Sequence, residues 1–294
     1  MFNKSEYWIR QLNDTVGTAK DFIRDFRIYD VGSYALNQLT PREGYTLHEN
    51  IAYGLKARHR LDLFKAHKPQ LNQPLIVFVH GGAWTHGDKS SYRFVGEAFA
   101  REGYDVAVIN YHLAPQYIFP SYVDDLTLAL NFLSLHQHKL AIRTDNVVLM
   151  GHSAGAFNVM SAVYHPQQYE LQCRAQIRAI IGVAGPYHFD YKGDPLCAEA
   201  FDQSVPFQQV MPYYFVASNS IKHYLVMAEN DQIVGHNNTE DFDRVLKEKG
   251  NHSKMIVIPR TGHITVMGSV SSLFSRYFET KEQILVAIEE ALKP

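Results

Sequence analysis

The sequence predicts an α/β fold: a mostly parallel central sheet with helices on both faces. Three observations carry that expectation. Apolar runs of strand length recur from about residue 60 onward, amphipathic stretches of helical length separate them, and several runs are continuous rather than alternating. Continuous runs suit strands covered on both faces, and strict strand–helix alternation suits parallel pairing.

The elements follow in order. Residues 1 to about 50 mix aromatic, charged and polar side chains, and are read as an N-terminal segment of helices and loops packed over the main body. Residues 60–64 (Arg-Leu-Asp-Leu-Phe) alternate polar and apolar, as a half-buried strand does. Residues 75–79 are continuously apolar and end in His80-Gly81-Gly82. Helix is expected at 95–102, strand at 105–110, helix at 122–135, strand at 146–150 and helix at 154–164. Strands at 178–183, 224–228 and 254–258, with helices at 241–249 and 281–292, complete the series. One stretch breaks the rhythm: 188–223 is rich in proline and aromatics and exceeds a normal connection, so some helix is expected there. It reads either as a lid over the strand ends or as an aromatic surface insertion packed down without gating anything. One domain over residues 1–294 accommodates all of this.

Composition excludes several functions. With 30 acidic and 28 basic residues the formal charge is −2. No broad basic field is available for nucleic acid or an anionic membrane. The longest apolar stretches fall far below the ~20 residues that span a bilayer. Charges at Lys4, Glu6, Arg10, Asp14, Lys20, Asp21, Arg24 and Asp25 leave no apolar run for a signal peptide, so a cytoplasmic location is expected. Two cysteines, Cys173 and Cys197, are too few for a disulfide scaffold and are read as buried thiols. Fifteen histidines are the compositional outlier. They do not indicate a metal: no H-E-x-x-H occurs, and His136 and His138 are spaced to face apart at a helix end. No metal and no cofactor are expected.

The chemistry resides in Gly151-His152-Ser153-Ala154-Gly155, a G-x-S-x-G with a strand before it and a helix after it. That turn projects a serine hydroxyl above the sheet in strained backbone geometry. A serine nucleophile needs a base. His263, in Thr261-Gly262-His263-Ile264 after the 254–258 strand, is placed to serve. The imidazole needs a carboxylate to fix its tautomer, and Asp231, after the 224–228 strand, is preferred over its neighbour Glu229. The order Ser, Asp, His is the one associated with a strand–elbow–helix nucleophile. His80-Gly81-Gly82-Ala83-Trp84 follows the 75–79 strand. Backbone N–H groups of Gly81, Gly82 and Ala83, with that of Ala154, are the expected oxyanion donors. Trp84, Tyr111, Tyr187 and Phe207 are expected to line a substrate pocket; His80 and His152 are read as structural.

On these residues the chain resembles the α/β-hydrolase superfamily, and within it the carboxylesterase, hormone-sensitive-lipase-like and arylformamidase (kynurenine formamidase-like) group. The resemblance covers roughly residues 50 to 294. It rests on H-G-G-A-W at 80–84, Gly87-Asp88-Lys89, Tyr111-His112-Leu113-Ala114-Pro115, Phe119-Pro120, Asp124-Asp125 and G-H-S-A-G at 151–155. The acid region, Glu229-Asn230-Asp231-Gln232, lacks the D-P-L-x-D of the lipase-like branch. The resemblance implies a serine hydrolase acting on a small-molecule ester, with an arylformamidase-type amide hydrolase as the alternative and a non-catalytic binding module of the same fold as a remote one. No nucleic-acid or membrane partner is expected from the composition, and the oligomeric state is left open.

Overall fold

The computed structural model describes residues 36–166 and 168–293. Most of the N-terminal segment, residues 1–35, lies outside the described residues. Eight strands form one sheet: β1 (Tyr45–Ala52), β2 (Arg60–Ala66), β3 (Leu75–Val79), β4 (Val106–Ile109), β5 (Val147–His152), β6 (Ile177–Val183), β7 (Lys222–Ala228) and β8 (Ser253–Ile258). Their spatial order is β1-β2-β4-β3-β5-β6-β7-β8. β2 runs antiparallel to both its neighbours, and all pairs from β4 through β8 are parallel.

Helices α1 (Arg93–Ala100), α2 (Ser121–Leu135), α3 (Ala154–Tyr164), α4 (Asn237–Glu248), the short α5 (Thr265–Gly268) and α6 (Thr280–Leu292) connect and cover the strands. The period-two rule divides the core in two. Along β3, Leu75, Val77 and Val79 pack beneath α2 and α3, whereas Ile76 and Phe78 pack beneath α1 and the C-terminal helices. All five are buried, which is why this strand is apolar without interruption.

Two expectations change. Residues 45–50 belong to strand β1 rather than to a helical or loop segment. Tyr45 and Leu47 pack on one side of the sheet and Ile51 on the other. A register break between His48 and Ile51 separates them, with Asn50 at φ 57°. That bulge conceals the alternation by which a strand is read from sequence. The second change concerns 188–223, whose last two residues begin β7. The helix expected in the connection is confined to two short 3₁₀ helices, Phe207–Gln209 and Pro212–Phe215. It is packed down: Tyr191, Cys197, Ala200, Phe201, Val210 and Met211 are buried in the same core as α2 and α3. Phe201 stacks on Tyr191 at 4.6 Å and meets Trp84 edge-on at 4.7 Å.

Candidate active site

The site stands beyond the carboxyl ends of β3, β5, β7 and β8, where ligands bind in open parallel sheets. At the end of β5 the chain turns sharply into α3, with Ser153 at φ 54° and ψ −122°. Such a conformation costs on the order of 1–3 kcal/mol and persists only when its surroundings enforce it. Here the Ser153 N–H is held by the Val183 carbonyl at 2.8 Å, and its own carbonyl opens α3 by accepting from Ala156 and Phe157. The flanking glycines allow the close approach: a Cβ on Gly155 would stand 2.1 Å from the Val79 oxygen, and one on Gly151 2.2 Å from the Gly155 oxygen.

Ser153 is 8% exposed, and its Oγ donates to His263 Nε2 at 2.8 Å. On the far side of the ring, Nδ1–H donates to Asp231 Oδ2 at 2.8 Å. A carboxylate can only accept, so the tautomer is fixed with Nε2 bare and aimed at the serine. Burial alone would raise the Asp231 carboxyl. The hydrogen bond and charge of His263 lower it, helped by the backbone N–H groups of Val234 and Ile233, and the net position is below the ordinary carboxylate range. Those two N–H groups bind Oδ1 at 2.9 Å each, leaving Oδ2 for the imidazole. Glu229 points away: it is exposed, and Oε2 accepts from the Arg260 N–H at 2.7 Å.

The loop after β3 carries the other half of the site. Gly82, Ala83 and Trp84 all have positive φ, at 133°, 46° and 60°. The N–H groups of Gly82, Ala83 and Ala154 have no acceptor among the described residues. Gly81 differs from the expectation: its N–H donates to the Tyr92 hydroxyl at 3.2 Å and cannot also serve an oxyanion. Its carbonyl accepts from His80 Nδ1–H at 2.7 Å. That carbonyl and the Gly82 N–H share one rigid peptide plane, so His80 orients the Gly82 donor. The motif Gly87-Asp88-Lys89 anchors the far end of the loop. Arg58 binds the Gly87 and Tyr111 carbonyls at 2.9 and 2.6 Å. Lys89 Nζ pairs with the buried Asp62 at 2.8 Å.

A cavity of about 280 Å³ opens over Ser153. Trp84, Phe189, Leu196, Cys197, Ile233 and Val234 supply its apolar walls, and Asp190, Asp194 and Asn238 its polar ones. Of the four aromatics expected to line it, Trp84 does. Tyr111 is fully buried, stacked on His80 at 4.4 Å with its hydroxyl on the His80 carbonyl. Tyr187 is buried against Phe242 at 4.7 Å, its ring filling the space left by Gly182 and Gly185. Phe207 packs on Tyr214, outside the lining. Aromatic identity marks these as large and apolar, and strand register decides whether they face cavity or core. The wall residues from 189–197 carry no periodic signal that would have singled them out. Cys197 is no competing nucleophile, since burial first and Asp194 second push its thiol well up.

Among the described residues, His59, His112 and Asp125 form one buried group whose atoms could gather around a cation. Asp125 accepts from His59 Nε2 at 2.8 Å, His112 Nδ1 at 2.7 Å and the His112 N–H at 2.8 Å. Both oxygens are thereby engaged, and the group reads as a hydrogen-bonded brace joining α2 to the ends of β2 and β4. No helix among the described residues is long and apolar enough to cross a membrane.

Comparison with known proteins places this architecture. Esterase B from Lactobacillus Rhamnosis, solved with an inhibitor, superposes with a TM-score of 0.77 over 95% of this chain and 96% of its own, at 19% identity. A bacterial heroin esterase gives 0.73 over 91% of each chain at 20% identity. The fold is that of the α/β-hydrolases. The BD-FAE family profile matches residues 61–246, and the chain belongs to that family of esterase-like α/β-hydrolases. In sequence it is 25% identical over 239 residues to a kynurenine formamidase of Drosophila melanogaster, covering 78% of both proteins. It is also 25% identical over 244 residues to a probable isoprenylcysteine alpha-carbonyl methylesterase of Oryza sativa subsp. japonica, covering 74% of this chain and 58% of that protein.

Proposed function

We propose that the protein hydrolyses carboxylic esters of small acyl or aryl groups through an acyl-enzyme on Ser153. The observation that carries this reading is the series Ser153 Oγ, His263 and Asp231, with 2.8 Å at each contact, beside a cavity whose lining includes Ser153, Ala83 and Ala154. Ser153 Oγ attacks the substrate carbonyl while its proton passes to His263 Nε2. Asp231 holds the ring and stabilises its positive form. The N–H groups of Gly82, Ala83 and Ala154 receive the charge that develops on the carbonyl oxygen, each such donor contributing about 10²–10³ in rate. His263 then protonates the departing alcohol, and water repeats the sequence on the acyl group to release the acid and restore Ser153.

The volume, about 280 Å³, lies at the small end of ligand sites and favours short acyl chains or a single aromatic ring. The same machinery cleaves an arylformamide, and the similarity to the Drosophila formamidase across 78% of both chains is the specific reason to carry that second reading. Purified protein is assayed on nitrophenyl acetate, butyrate and octanoate and on N-formyl-kynurenine, with Ser153→Ala as the blank. The expected outcome is a kcat/KM that falls from acetate and butyrate to octanoate, and a loss of about 10⁶-fold in kcat with Ser153→Ala. A Ser153→Ala protein with full activity would sink the mechanism; a kcat/KM higher on N-formyl-kynurenine than on any ester would make the amide reading the main one.

A further inference from the structure

Tyr92 and His152 lie behind the reacting groups and form no part of the cavity wall. Their hydrogen bonds make one directed chain. The His263 carbonyl can only accept, so the 2.9 Å contact from His152 Nε2 requires the proton on Nε2. Burial, and then the neighbouring His263, push His152 down to about 3, so the ring is neutral and Nδ1 bare. Nδ1 accepts from the Tyr92 hydroxyl at 3.3 Å, and that hydroxyl oxygen accepts the Gly81 N–H at 3.2 Å. Each donor in the series Gly81 N–H, Tyr92 O–H, His152 Nε2–H meets an acceptor in the series, which ends on the backbone of His263.

We propose that Tyr92 and His152 are positioning residues that hold the oxyanion loop and the backbone of His263 in register across Ser153; this rests on the roles given above to Ser153 and His263. The geometry creates the need. The donors follow β3 and the base follows β8, with β5, β6 and β7 between them in the sheet. Two loops that far apart drift independently unless something ties them, and a displacement of about 1 Å at a reacting group can cost about 10²-fold in rate. His152 sits at the end of β5, between the two, and its ring spans the gap from Tyr92 to the His263 carbonyl. Supporting groups of this kind set how closely a site keeps its productive geometry.

The test uses Tyr92→Phe, His152→Ala, His152→Gln and the Tyr92→Phe/His152→Ala double variant. A serine-reactive fluorophosphonate counts active sites, so that kcat is expressed per functional molecule on nitrophenyl butyrate. Glutamine is the informative replacement because its amide nitrogen stands near the place of Nε2 and can still donate to the His263 carbonyl. The expected result is a kcat per site lower by about 10-fold for Tyr92→Phe and about 100-fold for His152→Ala, with KM within about two-fold. His152→Gln should recover most of the alanine loss, and the double variant should be little worse than His152→Ala because both cut the same chain. An unchanged kcat per site in Tyr92→Phe and His152→Ala, with only the melting temperature lowered, overturns the proposal in favour of packing. Glutamine no better than alanine overturns it as well. Activity in Ser153→Ala would instead overturn the nucleophile assignment on which the proposal stands.

Discussion

Mild acid should destabilise this protein steeply, by an amount that can be worked from three buried histidines. His80, His152 and His223 are pushed to about 4, 3 and 4, in each case chiefly by burial. The bonding geometry accommodates two of them as neutral rings. His152 donates to a carbonyl and accepts from Tyr92, and His223 donates from Nδ1 to the His252 carbonyl while Nε2 accepts from Tyr164. All three folded values lie below the unfolded one of about 6.5, so the unfolded chain binds protons that the folded one refuses. The stability they contribute is therefore complete above that value and is lost as pH falls toward 4. At pH 5 each has forfeited about 2 kcal/mol relative to pH 7.5, together about 6 kcal/mol. The result hardly depends on how far below 5 each group titrates. At about 2–4 °C per kcal/mol for a chain approaching this size, the melting temperature should fall by about 12–24 °C. Scanning fluorimetry at pH 7.5, 6.5, 5.5 and 5.0, at constant ionic strength, measures this, and His223→Gln should remove about a third of the slope. A melting temperature flat from pH 7.5 to 5, or a variant with the parent's slope, would refute the reasoning.

Three further outcomes are expected. Asp231→Asn should lower kcat by about 10⁴-fold by allowing the wrong tautomer of His263, whereas Glu229→Gln should stay within about two-fold; equal effects would reverse the choice of acid. Gly155→Ala drives a methyl onto the backbone oxygens of Val79 and His80, at 2.1 and 2.6 Å. It should cost about 1–3 kcal/mol or more in stability and reduce kcat, because α3 can yield only by carrying Ser153 with it; parent-like values in both assays would contradict the packing described. Lys89→Met strands the Asp62 carboxylate, whose side chain is fully buried. About 3–5 kcal/mol should be lost and largely regained in Lys89→Met/Asp62→Leu, read from melting temperatures; a double variant no more stable than the single would speak against the pair.

Much of this was legible because strands covered on both faces must be apolar throughout, as residues 75–79 are, and because an elbow serine requires small residues where Gly151 and Gly155 stand. His263 could be found from its place after a strand. What resisted reading depends on direction rather than composition. β1 was hidden by the bulge at Asn50, which breaks the alternation. Gly81 was expected among the oxyanion donors, but which N–H faces the cavity is decided by peptide planes, and Tyr92 takes that one. Tyr111, Tyr187 and Phe207 have the chemistry of pocket residues, but the first two are buried in the core and Phe207 packs on Tyr214. The chain from Gly81 to His263 was beyond reach for a similar reason. His152 looks like filler inside a motif until its ring is seen bonded to a backbone 111 positions later.

That long span has a consequence for how the protein comes into being. Ser153 and His263 are 110 positions apart, and His263, the proposed base, follows the last strand at the sheet's edge. During synthesis the elbow, the donor loop and most of the sheet emerge well before His263, so a growing chain carries a serine that nothing deprotonates. On the roles proposed for Ser153 and His263, hydrolytic power arrives only when β8 docks. In refolding, recovery of activity should therefore lag behind the return of secondary structure, reporting the closure of the last strand rather than the formation of the core.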